Sequence, residues 1–227
     1  MKTRIITLLL AISAILGSTT IQGKELKIYK GNTVVSSVEV SDIDSIKFES
    51  THNGHEYVDL GLSVKWATCN VGATTPEEYG NYYAWSETTT KSSYASSNYT
   101  YSSNPTTLPL SADAARVNWG GSWRMPTRAE QEELIDTNNC TWEWITQNGV
   151  NGYKVTSKKN GNSIFLPAAG YRYNSNLYSA GSYGKYWSSS LNTSDSSKAY
   201  YLLFHSSLVD WLNLDRYYGQ SVRAVCP

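Results

Sequence analysis

The feature that most constrains this chain is its punctuation. After residue 140, short alternating runs are broken repeatedly by Gly and Asn. Thr141-Trp142-Glu143-Trp144 alternates, residues 148–152 turn, Tyr153-Lys154-Val155 extends, residues 159–162 turn again, and Ile164-Phe165-Leu166 follows. Alternation of period two between turn residues is the pattern of strands joined by tight connections. Strand-like runs also occupy 57–60 and 64–67, around Gly61, and the end of the chain at 221–225. Along 200–205, Tyr200, Leu202 and Phe204 alternate with Tyr201, Leu203 and His205. The first set is expected to face the core and the second to face out. Helix signals are sparse. Thr127 and Glu130 form a capping box after Pro126, which predicts a helix over about 127–137, and Ser111 reads as the cap of a shorter one ending near 117. The fold class is α+β, with irregular loops.

The N-terminus has a different pattern. Met1-Lys2-Thr3-Arg4 is basic, residues 5–16 are apolar apart from Thr7 and Ser13, and 17–23 are small and polar. This is the layout of a secretory signal peptide (1–23), too short to be a permanent anchor. The expected destination is the periplasm, the cell surface or the extracellular space, with no transmembrane anchor in the mature chain. Residues 24–54 read as a small β-hairpin unit and linker. Two alternating runs flank Gly31-Asn32, a third lies at 46–48, and 50–54 lead into a main domain at 55–227.

Composition narrows the function classes. The 19 basic and 19 acidic side chains balance, which gives no electrostatic case for a nucleic-acid partner. Charged residues are only 17%, while there are 18 Tyr and 8 Trp against 3 Phe. Tyr and Trp combine a large stiff contact area with a hydrogen-bonding tip, and with Ser, Asn and Gly they are favoured at recognition surfaces. A β-rich secreted core that uses tyrosine for packing would have the same composition. Residues 86–110, rich in Ser, Thr, Tyr, Asn and Pro, read as a long surface loop.

Catalytic chemistry is weakly signalled. His52 and His55 fall in the expected linker and read as solvated. His205 has no recognisable nucleophile-and-base arrangement around it. Gly120-Gly121-Ser122-Trp123 lacks the lysine of a phosphate loop and reads as a turn. Trp123, Trp142, Trp144 and Trp187 read mainly as buried framework. Cys69, Cys140 and Cys226 lack metal-site spacing. At most one disulfide is expected, Cys69 with Cys226, since both lie on terminal strands. No catalytic residue, metal or cofactor is assigned.

Several segments taken in order resemble a known family. They are 58–67 (Val-Asp-Leu-Gly-Leu-Ser-Val-Lys-Trp-Ala), 70–73, 79–85 (Tyr-Gly-Asn-Tyr-Tyr-Ala-Trp), 123–127 (Trp-Arg-Met-Pro-Thr), 166–172 (Leu-Pro-Ala-Ala-Gly-Tyr-Arg), 186–190 (Tyr-Trp-Ser-Ser-Ser) and 219–223 (Gly-Gln-Ser-Val-Arg). Over about 55–227 the chain resembles the Fibrobacter succinogenes major paralogous domain family of exported Bacteroidetes proteins. The resemblance implies a C-type-lectin-like or formylglycine-generating-enzyme-like fold whose two ends meet in one sheet. The calcium-lectin motifs Glu-Pro-Asn, Gln-Pro-Asp and Trp-Asn-Asp are absent, and the cysteines do not match the formylglycine-generating branch. The tail also resembles variable proteins of diversity-generating retroelements, in which adenine rewriting turns Asn codons into Tyr, His, Asp, Ser or Leu but not Trp or Lys. The expected function is recognition of a protein or glycan through Tyr183, Tyr201, Leu203, His205, Leu208, Asp210, Leu212, Leu214, Tyr217 and Tyr218. The alternative is a structural or adhesin-like component of a surface assembly.

Overall fold

The computed structural model describes residues 25–30, 32–39 and 51–227. The leader and the run expected at 46–48 lie outside the described residues. The chain divides into two compact units, 1–50 and 51–227. In the first, strands β1 (Glu25–Lys30) and β2 (Thr33–Glu39) pair antiparallel, with Lys30 opposite Thr33. Only residues 31 and 32 separate them, the two-residue connection expected there.

The second unit begins with β3 (Thr51–His52) and β4 (His55–Val58), which pair across Asn53 and Gly54. Both turn residues have positive φ, 46° and 80°, as a two-residue hairpin requires. Residues 51–54 are therefore part of the domain, where a linker was expected. In chain order there follow β5 (Lys65–Ala67), α1 (Ala114–Trp119), α2 (Arg128–Ile135), β6 (Cys140–Gln147), β7 (Val150–Ser157), β8 (Ser163–Pro167), β9 (Tyr171–Tyr173), β10 (Asn176–Tyr178), β11 (Tyr183–Leu191), β12 (Lys198–His205), β13 (Leu208–Asp215) and β14 (Val225–Cys226). Among the described residues the fold is β-rich, with two short α-helices.

The strands form sheets in the orders β14-β5-β4-β3, β6-β7-β8, β11-β12-β13 and β10-β9. The ends of the domain meet, as expected: Val225 lies opposite Trp66 and Cys226 opposite Lys65. Ala67 N–H donates to the Ala224 carbonyl and Val71 N–H to the Val222 carbonyl, each at 2.9 Å. Arg223, buried between these contacts, reaches across to β8 (Nη2 to the Phe165 carbonyl, 3.0 Å).

The same register explains the cysteines. Cys226 faces Lys65 across the sheet, and Cys69 lies four residues further along, with its thiol directed at the Ala73 carbonyl. The expected Cys69–Cys226 bridge is absent, and all three cysteines are free and buried. Burial pushes each thiol up.

Helix α2 starts as its capping box predicts. Thr127 Oγ1 accepts from Glu130 N–H (3.3 Å), and Glu130 Oε2 accepts from Thr127 N–H (2.8 Å). Glu130 also holds the Arg124 guanidinium at 2.7 and 2.5 Å, so the cap is tied to the preceding loop. Thr127→Ala should lower stability by about 1 kcal/mol and Thr127→Ser by almost nothing, read as the midpoint of urea unfolding. An equal loss in both variants would show that the hydroxyl is not the cause.

Ser111 is not a cap. It lies within a 3-10 turn (Leu110–Ala112), and Asp113 caps α1 instead. The Asp113 carboxylate serves two segments at once, accepting from Arg116 N–H (3.0 Å) and from Met125 N–H (2.8 Å). Residues 86–110 are largely irregular but pinned. Tyr94 is buried and donates its hydroxyl proton to the Tyr82 carbonyl at 2.5 Å.

The core is built in two large clusters and a small third one of Tyr82, Ala84 and Tyr94. Trp85, Trp123 and Trp187 belong to one large cluster, and Trp66, Leu134 and Tyr186 to the other. Trp142 and Trp144 only border the second. Strand β12 supplies both, Tyr201 and Leu203 to the first, Leu202 and Phe204 to the second.

Candidate functional site

The site follows from the ladder β11-β12-β13. Residues directly opposite in antiparallel strands point to the same side of the sheet. Tyr183, His205 and Leu208 form one such row, Lys185, Leu203 and Asp210 the next, and Trp187, Tyr201 and Leu212 the third. Leu214, two residues after Leu212, continues the same side. Eight of the ten residues assigned from sequence therefore share one face of one sheet.

They do not share one environment. Tyr201 and Leu203 are only 4% and 8% exposed, against 40% for Leu208 and 42% for Leu212. Tyr201 and Leu203 were expected to face solvent, and the structure corrects this. β12 is the middle strand of its sheet, and both of its faces are covered. A strand covered on both sides reads as an unbroken apolar run, and Tyr201-Leu202-Leu203-Phe204 is one. Tyr200, expected in the core, is half-buried against Trp211 and the Arg128 guanidinium. The open part of the face is its rim: Tyr183, Leu208 and Leu212, with His205, Asp210 and Leu214 half-buried. Tyr183 and His205 rings lie 5.0 Å apart.

Tyr217 and Tyr218 join this rim through residues that the sequence reading did not single out. β9 and β10 form a hairpin with Tyr171 opposite Tyr178, their rings stacked at 5.6 Å. Tyr218 stacks on Tyr217 (4.8 Å) and on Tyr173 (5.0 Å), and lies 5.9 Å from Tyr171. Five tyrosines thus form one connected group. Its two halves are fixed by paired backbone bonds, Arg172 N–H to the Gly219 carbonyl (2.7 Å) and Gly219 N–H to the Arg172 carbonyl (2.9 Å). A Cβ on Gly219 would lie 2.8 Å from the Tyr94 ring, so only glycine allows this approach. Two runs bearing Tyr, at 171–173 and 176–178 around Asn174 and Ser175, were the signal available in the sequence.

Lys185 links the tyrosine group to the sheet. Its Nζ lies 3.7 Å from the centroid of the Tyr171 ring and 5.6 Å from that of Tyr201. Burial pushes this amine down to about 8. Burial also pushes the Tyr217 phenol up, helped by Tyr218 and by Asp215, whose Oδ2 accepts the Tyr217 hydroxyl at 3.2 Å. The Tyr218 phenol is likewise pushed up by burial, so Tyr217 and Tyr218 stay neutral across the physiological range. They act as stacking surfaces and hydrogen-bonding tips.

Histidine–hydroxyl contacts occur twice. His205 Nδ1 lies 3.3 Å from Ser207 Oγ in an exposed turn. His52 Nε2 lies 2.9 Å from Ser122 Oγ, but the same nitrogen accepts the Ser122 N–H at 2.9 Å. A Cβ placed on Gly121 would come within 2.9 Å of that nitrogen, so the glycine turn packs directly against the imidazole. His55 stacks on Trp119 at 3.9 Å. Both histidines expected to be solvated in a linker are thus packing residues of the domain edge. Among the described residues, no group of three or more His, Cys, Asp or Glu is placed to hold a metal ion.

A family model described as a domain of unknown function (DUF8237) matches residues 142–225, the stretch that contains the tyrosine group and its sheet. No curated protein and no solved structure matches the chain.

Proposed function

We propose that this is an exported, non-enzymatic recognition module with a C-type-lectin-like fold, related to the Fibrobacter succinogenes major paralogous domain family. It binds a protein or glycan through the rim of the β11-β12-β13 face and the adjoining tyrosine group. The observation that carries this reading is the exposure of large side chains side by side. Tyr173, Tyr178, Tyr183, Leu208 and Leu212 all face solvent. Single exposed apolar residues are ordinary, whereas a contiguous set marks a contact surface. The stacked rings are held in place before any ligand arrives, which lowers the entropy cost of binding. The meeting of the two ends in one sheet supports the proposed fold. No helix among the described residues is long and apolar enough to cross a membrane.

One observation favours diversification of this surface by a retroelement. Leu208 and Leu212, both reachable from Asn codons, are exposed, whereas unreachable Trp211 and Lys185 are half-buried; unreachable Lys198, at the far end of β12, keeps a side chain 37% exposed. The Arg128 guanidinium lies 3.3 Å from the Trp211 ring.

The test is a triple variant, Tyr173→Ala with Leu208→Ala and Leu212→Ala. Wild type and variant are compared on a glycan array and on an array of secreted and surface-protein ectodomains. Ligands retained by the wild type should bind the variant at least about tenfold more weakly, or 1.4 kcal/mol. The melting temperature should barely move, because surface substitutions of this kind change stability by about 0.5 kcal/mol or less. Unchanged affinity for every retained ligand would reject this face.

A further inference from the structure

A second site lies in the irregular segment before α1. Residues of 86–101 and 109–112 line an open cleft of about 420 Å³, within the ~300–1,000 Å³ typical of small-molecule sites. Its walls include Glu87, Lys91, Asn98, Thr100, Tyr101 and Ser111. The charged pair is shielded: Lys91 Nζ meets Glu87 Oε2 at 2.7 Å, with side chains 19% and 13% exposed. Taking such a pair out of water is costly unless its geometry and remaining hydrogen bonds compensate. Lys91 has that compensation in the Asn98 carbonyl (3.2 Å) and Asn98 Oδ1 (3.4 Å). Glu87 Oε2 is buried and meets no hydrogen-bond donor of good geometry besides the ammonium it pairs with.

The walls are fixed from outside. Asn118 donates to the Thr88 carbonyl (3.0 Å), Tyr99 to the Trp85 carbonyl (2.8 Å), and the Arg216 guanidinium to the Tyr101 carbonyl (2.7 Å). The Tyr101 ring is braced edge-on by Trp85 at 6.5 Å. An irregular segment of this length held by side chains is a preorganised surface.

The chemistry of the walls selects a ligand class. The one cation and the one anion neutralise each other, so neither a free anion nor a metal cation gains a net partner. Hydroxyls and an amide offer both donors and acceptors, and only Pro109 and Ala112 are aliphatic, so an apolar ligand would strand polar groups. A neutral molecule with several vicinal hydroxyls and a C–H-rich face would match these polar walls together with Tyr101, Pro109 and Ala112. We propose that this cleft binds a neutral sugar, free or at the end of a glycan, at a site separate from the tyrosine group.

The test is a titration of the protein with methyl glycosides of glucose, galactose, mannose, fucose and N-acetylglucosamine, followed by amide and indole NMR shifts. At least one sugar should give saturable shifts at Trp85, Tyr101 and the 86–100 backbone. Glu87→Gln and Thr100→Val should each weaken it at least tenfold, while the Tyr173/Leu208/Leu212 triple variant should bind it unchanged. Thr100 is exposed, so its variant remains informative if Glu87→Gln misfolds. Tighter binding of an oligosaccharide ending in the same sugar assigns a glycan end. Equal binding assigns the free sugar, and both support the site. The proposal is overturned if no sugar saturates, if shifts fall on the tyrosine group instead, if Thr100→Val binds normally, or if glucuronate competes equally.

Discussion

Replacing Arg223 with methionine is expected to lower the unfolding free energy of the main domain by about 3–5 kcal/mol. The side chain is 1% exposed, and carbonyl groups surround it instead of a carboxylate. Nε donates to Asn70 Oδ1 (2.9 Å), Nη1 to the carbonyls of Ala67 (3.0 Å) and Thr68 (2.8 Å), and Nη2 to that of Phe165 (3.0 Å). Burial pulls the guanidinium down, but an arginine keeps its proton in a protein, so the charge is neutralised only by these dipoles. Methionine matches the stem and removes every donor. Four acceptors are then left dry, each costing about 1–3 kcal/mol, offset by the desolvation no longer needed for the cation. Asn70 would lose its anchor too, and it holds the Tyr79 carbonyl at 2.9 Å. Lysine should rescue little, since a point ammonium cannot span acceptors arranged for a planar fork. Urea unfolding followed by tryptophan fluorescence reads the effect. A loss below about 1 kcal/mol would mean that the closing segment is held by strand pairing alone.

Arg223 shows where sequence reading reaches its limit. That the last strand should return to the first followed from resemblance. That the partners of Arg223 lie on β5 and β8 could not be read from spacing, because the Phe165 contact spans 58 positions. Local chemistry was legible where a few neighbouring residues decide it. Thr127 and Glu130 cap α2 because each reaches the other's N–H within one turn. Asn148 and Gly149 make the β6–β7 turn because both tolerate positive φ, 48° and 84°.

The loop and the tyrosine group were less legible for a different reason. Polar composition at 86–110 suggested solvent, yet Tyr94 is buried there. Side-chain bonds to distant carbonyls leave no periodicity to detect. Tyr171 and Tyr178 likewise gain their role from a hairpin pairing and from Lys185, which arrives from another strand.

The double substitution Tyr201→Ala with Leu203→Ala is expected to cost about 5 kcal/mol of stability, enough to unfold much of the protein near body temperature. Period-two alternation cannot separate a strand with one wet face from a strand with none. Both sets of side chains in 200–205 are large and mostly apolar, so assigning Tyr201 and Leu203 to a wet side had no support in the pattern itself. Long-range packing decides exposure. The Tyr201 ring lies edge-on to Trp187 at 5.9 Å, and Tyr101, Leu214 and Tyr218 pack against the cluster containing Tyr201 and Leu203. Truncating a buried leucine costs about 2–5 kcal/mol and a buried aromatic about 3–5. The two share one cavity, so the sum should fall short of additivity. His205→Ala should cost little, because the ring is half-buried and its nearest hydrogen-bond partner is its own turn at Ser207. Unfolding curves of the three variants therefore rank the positions by depth. If the double variant melts with the wild type, the covering segments do not pack on this face. Tyr201 and Leu203 would then return to the binding surface beside Leu208 and Leu212.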